Sequence, residues 1–121
     1  MQTQEMHQHH LSERSHSRKY LTFRLAGEEY GLGIQQVREI IGMMPVAAIP
    51  QMPVFVKGVV NLRGSVIPVV DLRLRFGLEG VEATERTCII VIEAHRRAFG
   101  DAFPVGLVVD SVSEVLHIRN D

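Results

Sequence analysis

Asn61 and Arg63 are the residues of this chain whose type and spacing best suit recognition. They lie in Gly58-Val-Val-Asn-Leu-Arg-Gly-Ser-Val-Ile-Pro-Val-Val-Asp-Leu-Arg73, as a polar pair between two apolar runs. A guanidinium offers forked hydrogen bonds to a carboxylate or an amide, and a carboxamide both donates and accepts. From spacing alone Arg63 reads in two ways: as a binding residue, or as a charged hairpin tip that keeps an edge soluble. Glu39, between Val37 and Ile40, makes a second mixed patch of acid and apolar groups, or a solvated helix face.

The chain's other reactive residue types do not assemble into catalysis. Asp71 stands where it caps a short helix, and Asp110 and Glu114 stand at strand ends or turns. Nothing beside them sets one carboxyl's pKa apart from another's, as acid/base work requires. Cys88 opens an apolar run and reads as a small buried hydrophobe rather than a nucleophile. His7, His9, His10 and His16 lie in a polar stretch with no fixed geometry for a metal. Gly31-Leu-Gly33 has too few glycines and no Lys-Ser/Thr partner for a phosphate loop. The expectation is a protein that binds, with no cofactor and no enzymatic activity.

Composition narrows what it binds. The chain has 121 residues and a formal net charge of −1, which suggests one domain with its own core. Near-neutral charge argues against a nucleic-acid partner held through phosphates. A single cysteine excludes an internal disulfide and fits a reducing compartment. No apolar run reaches the roughly 20 residues that span a bilayer. The N-terminus lacks a signal-peptide pattern. Together these point to a soluble cytoplasmic protein without direct membrane insertion.

The recognition residues need strands to hold them. Residues 1–18 are polar and read as a flexible tail, leaving 19–121 as the domain. Leu21, Phe23 and Leu25 alternate with Thr22 and Arg24, a half-buried strand starting at Tyr20. Ala26-Gly27-Glu28 turns the chain, and Glu29 to Gly33 returns as a second strand. Ile34, Val37 and Ile41, with Ile40 beside them, recur at helical spacing, so a short helix or helical turn is expected before an extended exit. Pro45, Pro50 and Pro53 exclude a long helix beyond it.

The Gly58–Arg73 stretch reads as a hairpin turning at Gly64-Ser65, with Val59, Asn61 and Arg63 on one face and Val60 and Leu62 on the other. Pro68 in its second arm suggests an edge or a bulge. Asp71 caps a helix over Leu72 to Phe76, with Leu72 and Phe76 inward, Arg73 and Arg75 outward and Gly77 as the stop. Residues 79–86 read as a loop, and Cys88 to Ile92 as a strand covered on both faces. Residues 94–103 read as a long charged loop and Pro104 to Val109 as its returning strand. Val112 to Ile118 reads as a strand by its β-branched content, although Ser111 and Glu114 also match a helix capping box. Many short strands with Gly and Pro turns imply a mainly β barrel or sandwich.

These blocks in order resemble a known family. Tyr20-Leu-Thr-Phe-x-Leu, Glu29-Tyr-Gly, Val37-x-Glu-Ile40, Ile49-Pro, Gly58-Val-Val-Asn-Leu-Arg-Gly64, Ile67-Pro-Val-Val-Asp-Leu-Arg73 and Gly106-Leu-Val-Val-Asp-Ser-Val-Ser-Glu-Val115 are similar to the CheW-like coupling proteins of bacterial chemotaxis. The resemblance implies two small SH3-like barrels of five strands each, packed over an apolar seam, with short helices. It implies a non-catalytic scaffold in the cytoplasm, recruited to membrane-associated chemoreceptor arrays. Its partners are then the cytoplasmic tip of a methyl-accepting chemoreceptor and the regulatory domain of the histidine kinase CheA. The positions matching the family's receptor contacts are Val37, Glu39, Ile40 and Arg63, and Asn61 joins them by strand alternation. A purine-nucleotide-binding barrel is the alternative reading, although no residues that would cradle a nucleotide are evident. Family members usually continue past the position of Asp121 with a further strand and a helix. Without that strand the first hairpin would keep an unpaired edge, which makes self-association through it an expectation.

Overall fold

A computed structural model describes residues 17–96 and 100–119. The polar tail expected at the N-terminus lies outside the described residues as far as residue 16. The chain is mainly β, with eight strands in two sheets among the described residues. The strands are β1 (Ser17–Leu25), β2 (Glu28–Gly33), β3 (Val37–Gly42), β4 (Val56–Leu62), β5 (Ser65–Asp71), β6 (Cys88–Arg96), β7 (Asp101–Val109) and β8 (Ser111–Arg119). One helix, α1 (Leu72–Arg75), follows β5, and a single 3-10 turn covers Ile34–Gln36. The smaller sheet runs β2-β1-β8 and the larger β3-β6-β7-β5-β4. The family resemblance implies five strands in each unit; among the described residues the smaller sheet has three.

Apolar alternation builds two cores that share one sheet. Ile90, Leu107 and Val109 of the larger sheet pack with Leu21, Phe23, Leu25 and Leu32 of the smaller one. Their neighbours Ile89, Val91 and Val108 turn the other way, onto Val60, Ile67 and Val69 within the larger sheet. Residues on alternate faces of one strand therefore belong to different cores. That is why Cys88 to Ile92 carries no polar alternation: both of its faces are covered, as expected. Each such Leu, Ile or Val contributes about 1.5–3 kcal/mol on full burial.

The larger sheet also curls until the segment leaving one outer strand, β3, reaches the other, β4. Beyond β3, Ala47 pairs with Val59 of β4 through two hydrogen bonds of 2.9 Å. Gly58 makes this approach possible. A Cβ there would lie 2.0 Å from the Ala47 carbonyl oxygen, at a φ of +146° that side chains rarely adopt. Met43, Met44 and Val46 fill the space beneath the crossing.

Several local expectations change. Val37 to Ile41 is strand, and only Ile34–Gln36 is helical. A register shift between Val37 and Glu39 moves apolar residues between faces and imitates helical spacing. The arms of β6 and β7 pair as far as Arg96 and Asp101, so most of the expected 94–103 loop is ladder. Pro68 lies on an inner strand; the β5–β7 pairing begins only at Val69, so the proline's missing N–H falls before that ladder. Ser111 opens β8, not a helix. Asp71 does cap α1, accepting from the Arg73 and Leu74 amides. Of the two inner residues expected on α1, Leu72 is buried but Phe76 is half exposed.

Candidate partner-binding site

The tip of the β4–β5 hairpin is a tight turn centred on Arg63 and Gly64. Both are left-handed, with φ of 50° and 88°, the pattern of two-residue hairpins whose turn twist matches the strands. The turn is therefore one residue earlier than the expected Gly64-Ser65, because Leu62 and Ser65 are the closing pair of the ladder. Arg63 in this conformation costs about 1 kcal/mol relative to a glycine. Asn61 offsets part of that by accepting the Gly64 N–H on Oδ1 at 2.9 Å. Asn61 is exposed and Val60 buried, as alternation requires, but Arg63 leaves the strand and its direction is set by the turn.

Strand β3 supplies the other side. Directly opposed residues of an antiparallel pair share a face. Val37 opposes Ile92 and Ile40 opposes Ile90, so these apolar residues lie on the face toward the smaller sheet. Glu39 opposes Val91 and Ile41 opposes Ile89, on the face toward the inner core of the larger sheet. Val37 is partly buried, whereas Ile40 keeps 43% of its surface open. The register shift thus separates Glu39 from Val37 and turns its carboxylate to the rim of the curled sheet.

There Glu39 meets Arg63. Nη2 of Arg63 donates to Oε2 of Glu39, closing an ion pair between residues far apart in sequence. The Arg63 side chain is 69% exposed and that of Glu39 31%, so this is a surface pair, worth about 0–1 kcal/mol. Its significance is positional. It holds a guanidinium over the rim, largely facing solvent, while Ile40 opens on the opposite face of the same edge strand. Such a surface can accept carbonyl or carboxylate groups from a partner while covering an apolar contact. Of the expected site residues, the structure joins Glu39 to Arg63, puts Val37 and Ile40 on one face of the adjoining strand, and gives the Asn61 oxygen to the turn.

A second arginine pair was not foreseen. Arg73 was expected to point outward; instead Nε donates to Asp110 Oδ1 at 2.9 Å and Nη2 to Oδ2 at 2.8 Å. Nη1 donates to the Glu79 carbonyl at 3.1 Å. Asp110 also accepts the Ala26 N–H at 2.8 Å. The hydrogen bonds from Arg73 are the largest influence holding the Asp110 carboxyl below the usual carboxylate range, and they raise Arg73 in turn. No local sequence signal marks this pair, because its partners are brought together only by the sheet order. Among the described residues, no three His, Cys, Asp or Glu side chains converge as a metal site. No helix among them is long and apolar enough to cross a membrane.

Comparison with known proteins gives these features a context. A family model described as "CheW-like domain" matches residues 19–121. The chain is similar to the chemotaxis protein CheW of Klebsiella aerogenes, 44% identical over 83% of this chain and 57% of that protein. It is 41% identical to CheW of Rhizobium meliloti, over 85% of this chain and 63% of that protein. The crystal structure of the scaffolding protein TtCheW from Thermoanaerobacter tengcongensis aligns with a TM-score of 0.74 and 40% identity, over 84% of this chain and 65% of that one. This chain therefore spans 57% to 63% of the length of these two curated relatives.

Proposed function

Because the chain belongs to the CheW-like domain family, we propose that it is a non-catalytic adaptor of bacterial chemotaxis. It couples the cytoplasmic tip of a chemoreceptor to the regulatory domain of a CheA-type histidine kinase. It acts in the cytoplasm, at membrane-associated receptor arrays. The receptor tip docks on Val37, Glu39, Ile40, Asn61 and Arg63, and the kinase docks elsewhere on the molecule. The observation that carries this reading is the solvent-facing Arg63–Glu39 pair on edge strand β3, whose other face leaves the apolar Ile40 open. Such a surface offers directional polar contacts and apolar area together.

The mechanism is geometric. An adaptor with two partner surfaces couples their occupancies through a shared, fixed frame, and the coupling is reciprocal. The test is a calorimetric titration of this chain with the regulatory domain of a CheA-type kinase from the same cell. Saturable binding supports the adaptor role. A folded chain that shows no heat at any ratio counts against it.

A further inference from the structure

Among the described residues the chain crosses between the two sheets twice, at the 3-10 turn Ile34–Gln36 and where β7 passes into β8. The second crossing is a single residue, Asp110, between Val109 of the larger sheet and Ser111 of the smaller one. The Asp110 amide and carboxylate are tied to both sheets. The Asp110 N–H donates to the Arg24 carbonyl at 3.0 Å and its Oδ2 accepts the Ala26 N–H, both at the β1–β2 turn of the smaller sheet. Its two carboxylate oxygens also take the fork of Arg73, on the helix that continues β5 of the larger sheet. The helix itself is anchored by buried Asp71, and Arg73 spends a further donor on the Glu79 carbonyl.

We infer that Arg73 and Asp110 are positioning residues that lock the orientation of the smaller sheet on the larger one. The apolar seam between the sheets is non-directional: leucines and isoleucines hold the sheets together at many relative angles with similar energy. The fork of Arg73 on Asp110 is directional, planar and charge-assisted, so it selects one angle. It lies at a crossover, where a small backbone rotation moves an entire sheet. Ala26, left-handed at φ 51°, is held in that conformation by the same carboxylate. For an adaptor with partner surfaces on a common frame, this lock sets the angle between them; that consequence rests on the adaptor reading above.

The test uses spin labels at Glu28→Cys on β2 and Val66→Cys on β5, both exposed positions, with Cys88→Ala to remove the native thiol. The parent carrying these changes gives one narrow label-to-label distance. Arg73→Lys keeps the charge and loses the fork; Asp110→Asn keeps the shape and loses the charge. Each is expected to at least double the width of the distance distribution, while amide protection in both sheets falls by no more than the variant's measured loss of global stability accounts for. Unchanged widths in both variants overturn the lock. Loss of protection in both sheets beyond that amount, or a chain that no longer folds, also overturns it, since the pair would then be needed for folding rather than orientation. The adaptor reading is judged separately, by whether the unlabelled wild type binds the kinase domain.

Discussion

Arg63 and Arg73 each hold one carboxylate across a long sequence interval, yet their surroundings separate them. Arg63 is 69% exposed and makes a single hydrogen bond to Glu39; Arg73 is 16% exposed and grips Asp110 with both arms of its fork. Water and salt screen the first pair, and its loss leaves two solvated ions. The second is part-buried and held by a fork, and losing one partner leaves the other less well solvated at the crossover. On the proposed reading, the same chemistry serves recognition in one place and framework in the other. Exposure, rather than residue type, decides which.

The contrast is tested hardest at Arg73. Arg73→Ala leaves Asp110 without its cation and is expected to cost about 2 kcal/mol in chemical denaturation. A loss below about 1 kcal/mol, no larger than for an exposed pair, would erase the distinction. Arg63→Glu, by contrast, should leave the denaturation midpoint within about 1 kcal/mol of wild type while placing like charge against Glu39. Its effect belongs in receptor-tip affinity, expected to fall at least tenfold, about 1.4 kcal/mol.

Acid sharpens the comparison further. The Asp110 pKa is lowered in the folded state, so its stabilisation is present above the unfolded value of about 3.9 and is lost as pH falls through the lower folded value. Wild type and Asp110→Asn should therefore differ at neutral pH and converge in stability as pH drops below about 4. A gap that persists at the acid end contradicts this. The smallest expected effect is that of Arg63→Gly. Glycine relieves the left-handed turn, so stability should stay level or rise by up to about 1 kcal/mol while the guanidinium is lost. A clear drop in melting temperature would mean that the Glu39 pair holds the hairpin in place.

What the sequence made legible follows from the range of each signal. Alternation in Leu21–Leu25 and the apolar run from Cys88 announced strands because strand faces repeat within a few residues. Asp71 announced its helix because capping acts over three residues. The spacing of Val37, Ile40 and Ile41 misled because one register shift gives a strand the intervals of a helix. The hairpin turn was misplaced by one residue because a left-handed arginine is uncommon and leaves no mark in composition. Arg63 and Glu39 were each singled out, but their contact was not, and Arg73 was assigned to solvent. Both pairs depend on sheet order, which no local pattern encodes.

The most direct measurement is a titration of a chemoreceptor-tip fragment into wild type and Arg63→Gly side by side, with unfolding curves recorded on the same preparations. The account predicts saturable binding to wild type, at least tenfold weaker binding to the variant, and unfolding curves that match or favour the variant. Equal affinity for the two proteins would contradict it, and would return Arg63 to the role of a charged tip that keeps an edge soluble.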